Sequence, residues 1–221
     1  EELGIECNDK GDLIPKAKGE SRDDMRCFEQ VVDLNEKLYH EVLDSHKEGS
    51  FPIVLGGDHS IAAGSIPATL KHYKNIGVIW VDAHGDWNSP ETSPSGNMHG
   101  MPYSAVCGAG PDIMACFDGE KNFVNTKNCV QIAGRDIDKY ERIRMKEHGV
   151  TVFSIADIDR MGMPAVVEEA IRIASEGTEG IHVSFDVDAI TPESAPGTGT
   201  IVHSGLTLRE AFYLVETLHE S

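Results

Sequence analysis

The sequence is poor in basic residues: lysine plus arginine total 19, against 37 aspartates and glutamates in 221 residues, for a formal net charge of −18. That deficit argues against nucleic acid or an anionic membrane as a partner, since both recruit the opposite sign. Nothing in the chain approaches the ~18 consecutive apolar residues that a membrane-spanning helix needs. It opens Glu1-Glu2-Leu3-Gly4, without an initiator methionine or a charged-then-apolar leader. The five cysteines, Cys7, Cys27, Cys107, Cys116 and Cys129, are odd in number and never spaced Cys-x-x-Cys. Neither a disulfide framework nor a zinc ribbon is expected; reduced, mostly buried thiols in a cytoplasmic protein are. No repeat, low-complexity tract or Pro/Ser-rich linker divides the chain, so a single domain over residues 1–221 is expected, long enough to bury a core without staples.

What is present is an alternation of two periods. Met25, Phe28, Val32, Tyr39 and Val42 recur at helical spacing, Ser21 and Asp24 resemble a capping box, and Gly49 closes the pattern. Residues 20–48 hold nine acids against four basic residues, the composition of a solvated face. Strands are predicted at 51–55, 76–81, 129–133, 150–153 and 181–187. Helices are predicted at 60–73, with Pro67 early in it, and at 139–148, 164–175 and 207–218. Strands alternating with helices imply parallel βαβ units, hence an α/β/α sandwich around a mainly parallel sheet. In such sheets ligands lie beyond the carboxyl ends of the strands.

Three predicted strands end in polar clusters: Gly56-Gly57-Asp58-His59-Ser60, Asp82-Ala83-His84-Gly85-Asp86, and the run from Ser184 to Pro192. In extended chain Asp82, His84 and Asp86 share one face, because side chains alternate. Three ionisable groups at the end of an apolar strand need a compensating charge. Asp186 and Asp188 repeat the spacing on another strand, and His59 adds a further imidazole. Four carboxylates and two imidazoles exceed what one tetrahedral zinc requires and suit harder ions, manganese above all. A pair of divalent cations balances the four charges, and such a pair activates water for hydrolysis. The bond broken does not follow from the ligands.

The motifs GGDHS (56–60), DAHGDWN (82–88), SGNMHG (95–100), GRDID (134–138), SFDVD (184–188) and PGTGT (196–200), in that order, resemble the ureohydrolase family, arginase branch. The match runs from about Leu3 to Glu220. The resemblance implies two Mn(2+) per chain held by His59, Asp82, His84, Asp86, Asp186 and Asp188, with Asp82 and Asp186 bridging. It implies hydrolysis of L-arginine to L-ornithine and urea by a metal-bridging hydroxide. Asp86 would pass a proton to the leaving nitrogen and His99 would shuttle protons to solvent. Asn88, Ser93, Ser95 and Asn97 fall in the segment that recognises the amino acid's carboxylate. Asp138 falls where its ammonium is received, and Thr200 at a substrate-proximal position, although PGTGT also reads as a plain tight turn. The resemblance further implies a homotrimer or hexamer, with Arg209 and Glu210 near subunit contacts.

Two departures stand out. The family pattern Asp-x-Asp-x-x-Asp-Pro has Thr191 in place of its third aspartate. The family also continues into a further strand bearing a guanidinium-gripping glutamate, and begins with a strand and helix ahead of Glu1, so a domain missing elements at both ends is expected. Agmatinase, guanidinobutyrase and formimidoylglutamase activities remain open, as do a one-zinc deacetylase on a related fold and a catalytically inactive relative.

Overall fold

A computed structural model describes residue 4 and residues 6–221; Leu3, where the family match begins, lies outside the described residues. Four strands, β1 (Gly77–Val81), β2 (Cys129–Gly134), β3 (Thr151–Ser154) and β4 (Ile181–Phe185), form one parallel sheet in the order β3-β2-β1-β4. Every residue of β1 is buried, as expected of a central strand covered on both faces. Its side chains divide by parity: Val78 and Trp80 enter one core, Ile79 and Val81 the other. The first core is completed by α2 (Ala62–Tyr73), α3 (Pro102–Val106) and Met145 of α4 (Lys139–His148), with Phe28 and Val31 of α1 (Phe28–Lys47) packed against it. The second is completed by α5 (Ile155–Met161), α6 (Met163–Ser175) and α7 (Leu208–Glu220). The α/β sandwich expected from the sequence is therefore the observed fold. Gly77 is required by close packing: a Cβ there would lie 2.0 Å from the Ala174 carbonyl oxygen of α6.

Several local expectations are corrected. The first helix begins at Phe28, and Ser21 does not cap it; the Ser21 hydroxyl instead accepts from the Cys27 backbone N–H at 3.0 Å, and Cys27 enters the helix in the left-handed region at φ 54°. Pro67 lies in the middle of α2. Residues 51–55 form no strand and pair with none, and Phe51, Ile53 and Leu55 are 89%, 76% and 90% exposed. A β-prone segment becomes a strand only when a neighbour accepts its hydrogen bonds, and none of the described strands lies alongside it. The thiols are not mostly buried: all five are free, only Cys129 is buried, and Cys7 and Cys27 are exposed.

Because all four strands are parallel, their carboxyl ends share one edge. The chain runs from β1 outward through β2 and β3, then returns to the far side of β1 as β4. The direction of winding therefore reverses between β1 and β4, where an open α/β sheet leaves a crevice. The segments that follow these two strands carry Asp82, His84, Asp86, Asp186 and Asp188.

Candidate metal centre

Asp82 follows β1 directly and is buried. Its backbone N–H continues the ladder to the Ile132 carbonyl at 3.1 Å, while Asp186 on the other side continues it to Val81 at 2.8 Å. Both carboxylates are thus placed by sheet hydrogen bonds rather than by loop packing. The two oxygens of Asp82 face opposite ways. Oδ2 lies 2.7 Å from His59 Nδ1 and accepts from Trp80 Nε1 at 3.1 Å; Oδ1 lies 3.4 Å from His84 Nδ1 and accepts from the His84 backbone N–H at 2.7 Å. His84 Nδ1 is also 3.0 Å from Asp188 Oδ2, and Asp188 Oδ1 accepts from the Ala83 N–H at 3.2 Å.

His59 stands on the short turn after Asp58, whose carboxylate caps that turn by accepting from the Ser60 N–H at 3.0 Å. Its ring is fixed on three sides. Nε2 bonds Ser184 Oγ at 2.8 Å, one face stacks on Trp80 with centroids 4.0 Å apart, and Nδ1 points at Asp82, at Asp86 (3.2 Å) and at Asp186 (3.4 Å). Trp80 stacks in turn on Tyr103 at 4.5 Å.

Two sets of donor atoms result, His59–Asp82–Asp186 and Asp82–His84–Asp188, each with its atoms within 4.8 Å of one another. Asp82 is common to both; Asp186 falls in the first set only. Asp86 stands beside the first set but arrives there by a route that strand alternation does not describe. Its φ is 47°, a left-handed turn after Gly85, and a Cβ on Gly85 would meet the Glu141 carboxylate at 2.9 Å.

The electrostatics match a centre short of positive charge. Burial opposes charge on His59, yet its hydrogen bonds to Asp82 and Asp86 outweigh burial and push its pKa up to about 10. His84 is driven up to about 11 against its own burial by Asp188 and Asp82. Asp86, buried beside the Asp82 charge, is held well above the usual carboxylate range; Asp186 is raised by burial and by Asp82. In such a cluster protonated imidazoles neutralise carboxylates, a role that divalent cations fill when the imidazoles act as neutral ligands. His84 Nε2 is buried without a hydrogen-bond partner, which leaves that ring free of competing ties on its far side. The donor set, four carboxylates and two imidazoles, fits two oxygen-preferring ions.

The remaining candidates are distributed around this centre. The Asn88 side chain, buried, donates to Asp138 Oδ2 at 3.3 Å and accepts from Thr92. Ser93 Oγ and Ser95 Oγ are engaged locally, accepting from the Gly96 and Asn97 N–H groups at 3.0 and 3.2 Å. Asn97 pairs with Arg26 in an isolated bridge. His99 is half-exposed, its Nδ1 3.9 Å from Asp58, whose nearby carboxylate raises its pKa. Thr200 lies on an exposed bend. Thr191 faces away from the cluster: its hydroxyl bonds Glu193 and its N–H the Leu206 carbonyl.

Sequence reasoning missed four groups. Trp80 and Ser184 fix His59, and Asp58 joins His59 to His99. Glu141, buried at the start of α4, accepts from the Trp87 N–H at 2.8 Å and the Asp138 N–H at 2.9 Å, and burial raises its pKa to about 7. The signal for Glu141 was present in Asp138-x-x-Glu141, a capping-box spacing.

The chain is similar to known proteins along its whole length. Residues 3–221 match the model of the Arginase family. An arginase of Staphylococcus aureus strain MRSA252 is 45% identical over 227 aligned residues, covering all of this chain and 74% of the relative. The crystal structure of arginase from Bacillus cereus superposes with a TM-score of 0.93 at 43% identity, covering 99% of this chain and 74% of that one. Arginase from Bacillus subtilis gives 0.94 at 40% identity with the same coverage.

Proposed function

The chain belongs to the arginase family, and from that premise we propose that it hydrolyses L-arginine to L-ornithine and urea, with two manganese ions per chain. The observation that carries this reading is the pair of three-donor sets sharing Asp82 at the β1/β4 crevice. His59, Asp82, His84, Asp86, Asp186 and Asp188 would hold the ions. When bound, they would lower the pKa of water to near neutrality and so supply a hydroxide oxygen for the guanidinium carbon.

The chain's own groups do the rest. Asp86, a buried carboxylate 3.2 Å from His59, can accept a proton from the attacking water and deliver it to the nitrogen that leaves with ornithine. His99, half-exposed and close enough to Asp86 and His84 to feel both, passes to solvent the other proton, the one released when the next water is activated. The adjoining Asn88 and Asp138 offer an amide and a carboxylate for the α-substituents of an amino acid, with Ser93, Ser95, Asn97 and Thr200 on the surrounding loops; charge-assisted hydrogen bonds of this kind separate arginine from agmatine, which lacks the carboxylate. A cytoplasmic, trimeric or hexameric enzyme is part of the same reading.

Urea release from L-arginine by the manganese-loaded protein, with His84→Ala and Asp86→Ala as controls, is the direct test. The expected result is release by the unaltered protein only. Faster turnover of agmatine than of arginine would move the assignment to another ureohydrolase, and no urea from any amidine by a protein that retains two ions would leave a non-catalytic relative.

A further inference from the structure

Arg135 follows β2 and is not among the residues that the chemistry above employs. Its guanidinium has five N–H donors, and each meets a backbone carbonyl. Nε donates to His203 (3.0 Å), Nη1 to Ala133 (3.4 Å) and Ala189 (3.2 Å), and Nη2 to Asp188 (2.7 Å) and Val202 (2.7 Å). No other arginine among the described residues is held this way; Arg172 and Arg160, for example, pair with carboxylates on their own helices. The backbone of the same residue reaches in the opposite direction. The Arg135 N–H and the Asp136 N–H both donate to the Ala83 carbonyl at 2.9 Å, between Asp82 and His84. One residue thus grips the turn after β1 through its main chain and the turn after β4 through its side chain. The grip extends to the 202–205 segment, which is itself laid beside 189–191 by the Leu206 N–H to Ala189 bond at 2.9 Å and the Thr191 N–H to Leu206 bond at 2.9 Å.

The space is filled to its limit. A Cβ on Gly205 would lie 2.7 Å from Arg135 Nη2 and 2.5 Å from the Ala189 oxygen. The residue that begins the grip, Ala133, sits at φ 76°, a left-handed strain that a β-strand residue sustains only when its surroundings hold it there. The same point marks the register shift between β2 and β3.

We propose that Arg135 is a positioning residue that sets the distance between the Asp82–His84 turn and the Asp188 turn, and so governs the second donor set, Asp82–His84–Asp188, more than the first. This rests on the reading of those residues as metal-holding. A planar fork with five donors can hold five carbonyls in one plane; an ammonium has three donors around a point and cannot. Charge conservation alone therefore does not preserve the arrangement.

The test is manganese binding to the full chain, followed by calorimetry and by metal content after dialysis, with circular dichroism on the same samples. The unaltered protein should take up two ions; if it takes up none, the metal-centre reading falls and not merely this proposal. Arg135→Lys is expected to bind one ion as the unaltered chain does and the other at least tenfold more weakly, with helix content unchanged. Gly205→Ala, which leaves Arg135 in place and crowds its terminal nitrogen, is expected to weaken the same ion. Two ions bound with unaltered affinities in folded Arg135→Lys overturn the proposal. Equal weakening of both ions also overturns it, as does loss of helix content in both variants, since either would mark a residue needed only for folding.

Discussion

His182 and Ser184 lie two residues apart on one face of β4, and each introduces a different histidine environment. His182 Nδ1 bonds the Thr69 hydroxyl at 3.1 Å, which His46 Nε2 also contacts at 3.2 Å, with His72 stacked on His46. Ser184 instead bonds His59, whose other nitrogen faces carboxylates. Burial acts with the same sign in both places, against the charged ring. Around Thr69 it prevails: His182 falls to about 4, with the neighbouring His46 adding to the effect, and His46 is lowered by burial and by His72. Around Asp82 it is overcome, and His59 and His84 rise to about 10 and 11. What a buried imidazole faces, rather than how deeply it is buried, decides whether it rests neutral or draws positive charge. The neutral site is closed on itself. Thr69 Oγ1 donates to the Ser65 carbonyl and can only accept from the two rings, so both present N–H and neither has reason to bind a cation there.

The largest break in this contrast is Asp82→Ala, which removes the carboxylate common to both donor sets. Metal content should fall to background and urea release on the order of a thousandfold, while the Thr69 site is untouched. Trp80→Ala comes next. It removes the ring beneath His59 and a fully buried side chain, and should cost about 3–5 kcal/mol in denaturant unfolding.

Thr69→Val should cost roughly 1–3 kcal/mol, because a buried and a half-buried ring N–H lose their acceptor. The same site sets an acid limb. His182 titrates lower folded than unfolded, so its contribution to stability is complete above about 6.5 and is lost as pH falls from there toward about 4. Urea unfolding between pH 7 and 4 should show that slope, and His182→Gln, which keeps a donor for Thr69, should flatten it. The smallest effect expected is from Thr191→Asp. The hydroxyl faces Glu193 rather than the donor sets, so manganese affinity should stay within about twofold, measured by the same calorimetry.

Much of this was legible in the chain itself. The β1 and α4 segments, expected at 76–81 and 139–148, form at Gly77–Val81 and Lys139–His148, because such preferences are local. Asp82, His84, Asp186 and Asp188 were singled out by spacing and motif order, and they do converge; but the strand expected to reach 187 ends at Phe185, and Asp188 arrives on a short 3₁₀ turn rather than by alternation. The 51–55 segment was not, since pairing depends on a neighbour and not on its own residues. α5 escaped notice although Ser154 and Asp157 frame its start as a capping box; seven residues are too few for a periodic signal. Asp86 lies beside the cluster, 3.2 Å from His59, but reaches it through a left-handed turn at φ 47° that alternation does not describe. Arg135 could be named from its motif, but its five carbonyl partners come from three separate stretches of chain and exist only once the sheet is assembled.

The stack of His59, Trp80 and Tyr103 has an optical consequence. The sequence contains only two tryptophans, and Trp80 is in face contact with a ring whose protonation state is set by the cluster, while its indole N–H is tied to Asp82. A protonated imidazole in such contact quenches indole emission, and a neutral one does so far less. In a Trp87→Phe background the light emitted by Trp80 becomes a continuous report on the charge of His59, so that filling of the centre can be followed in real time without a label, a substrate or a product.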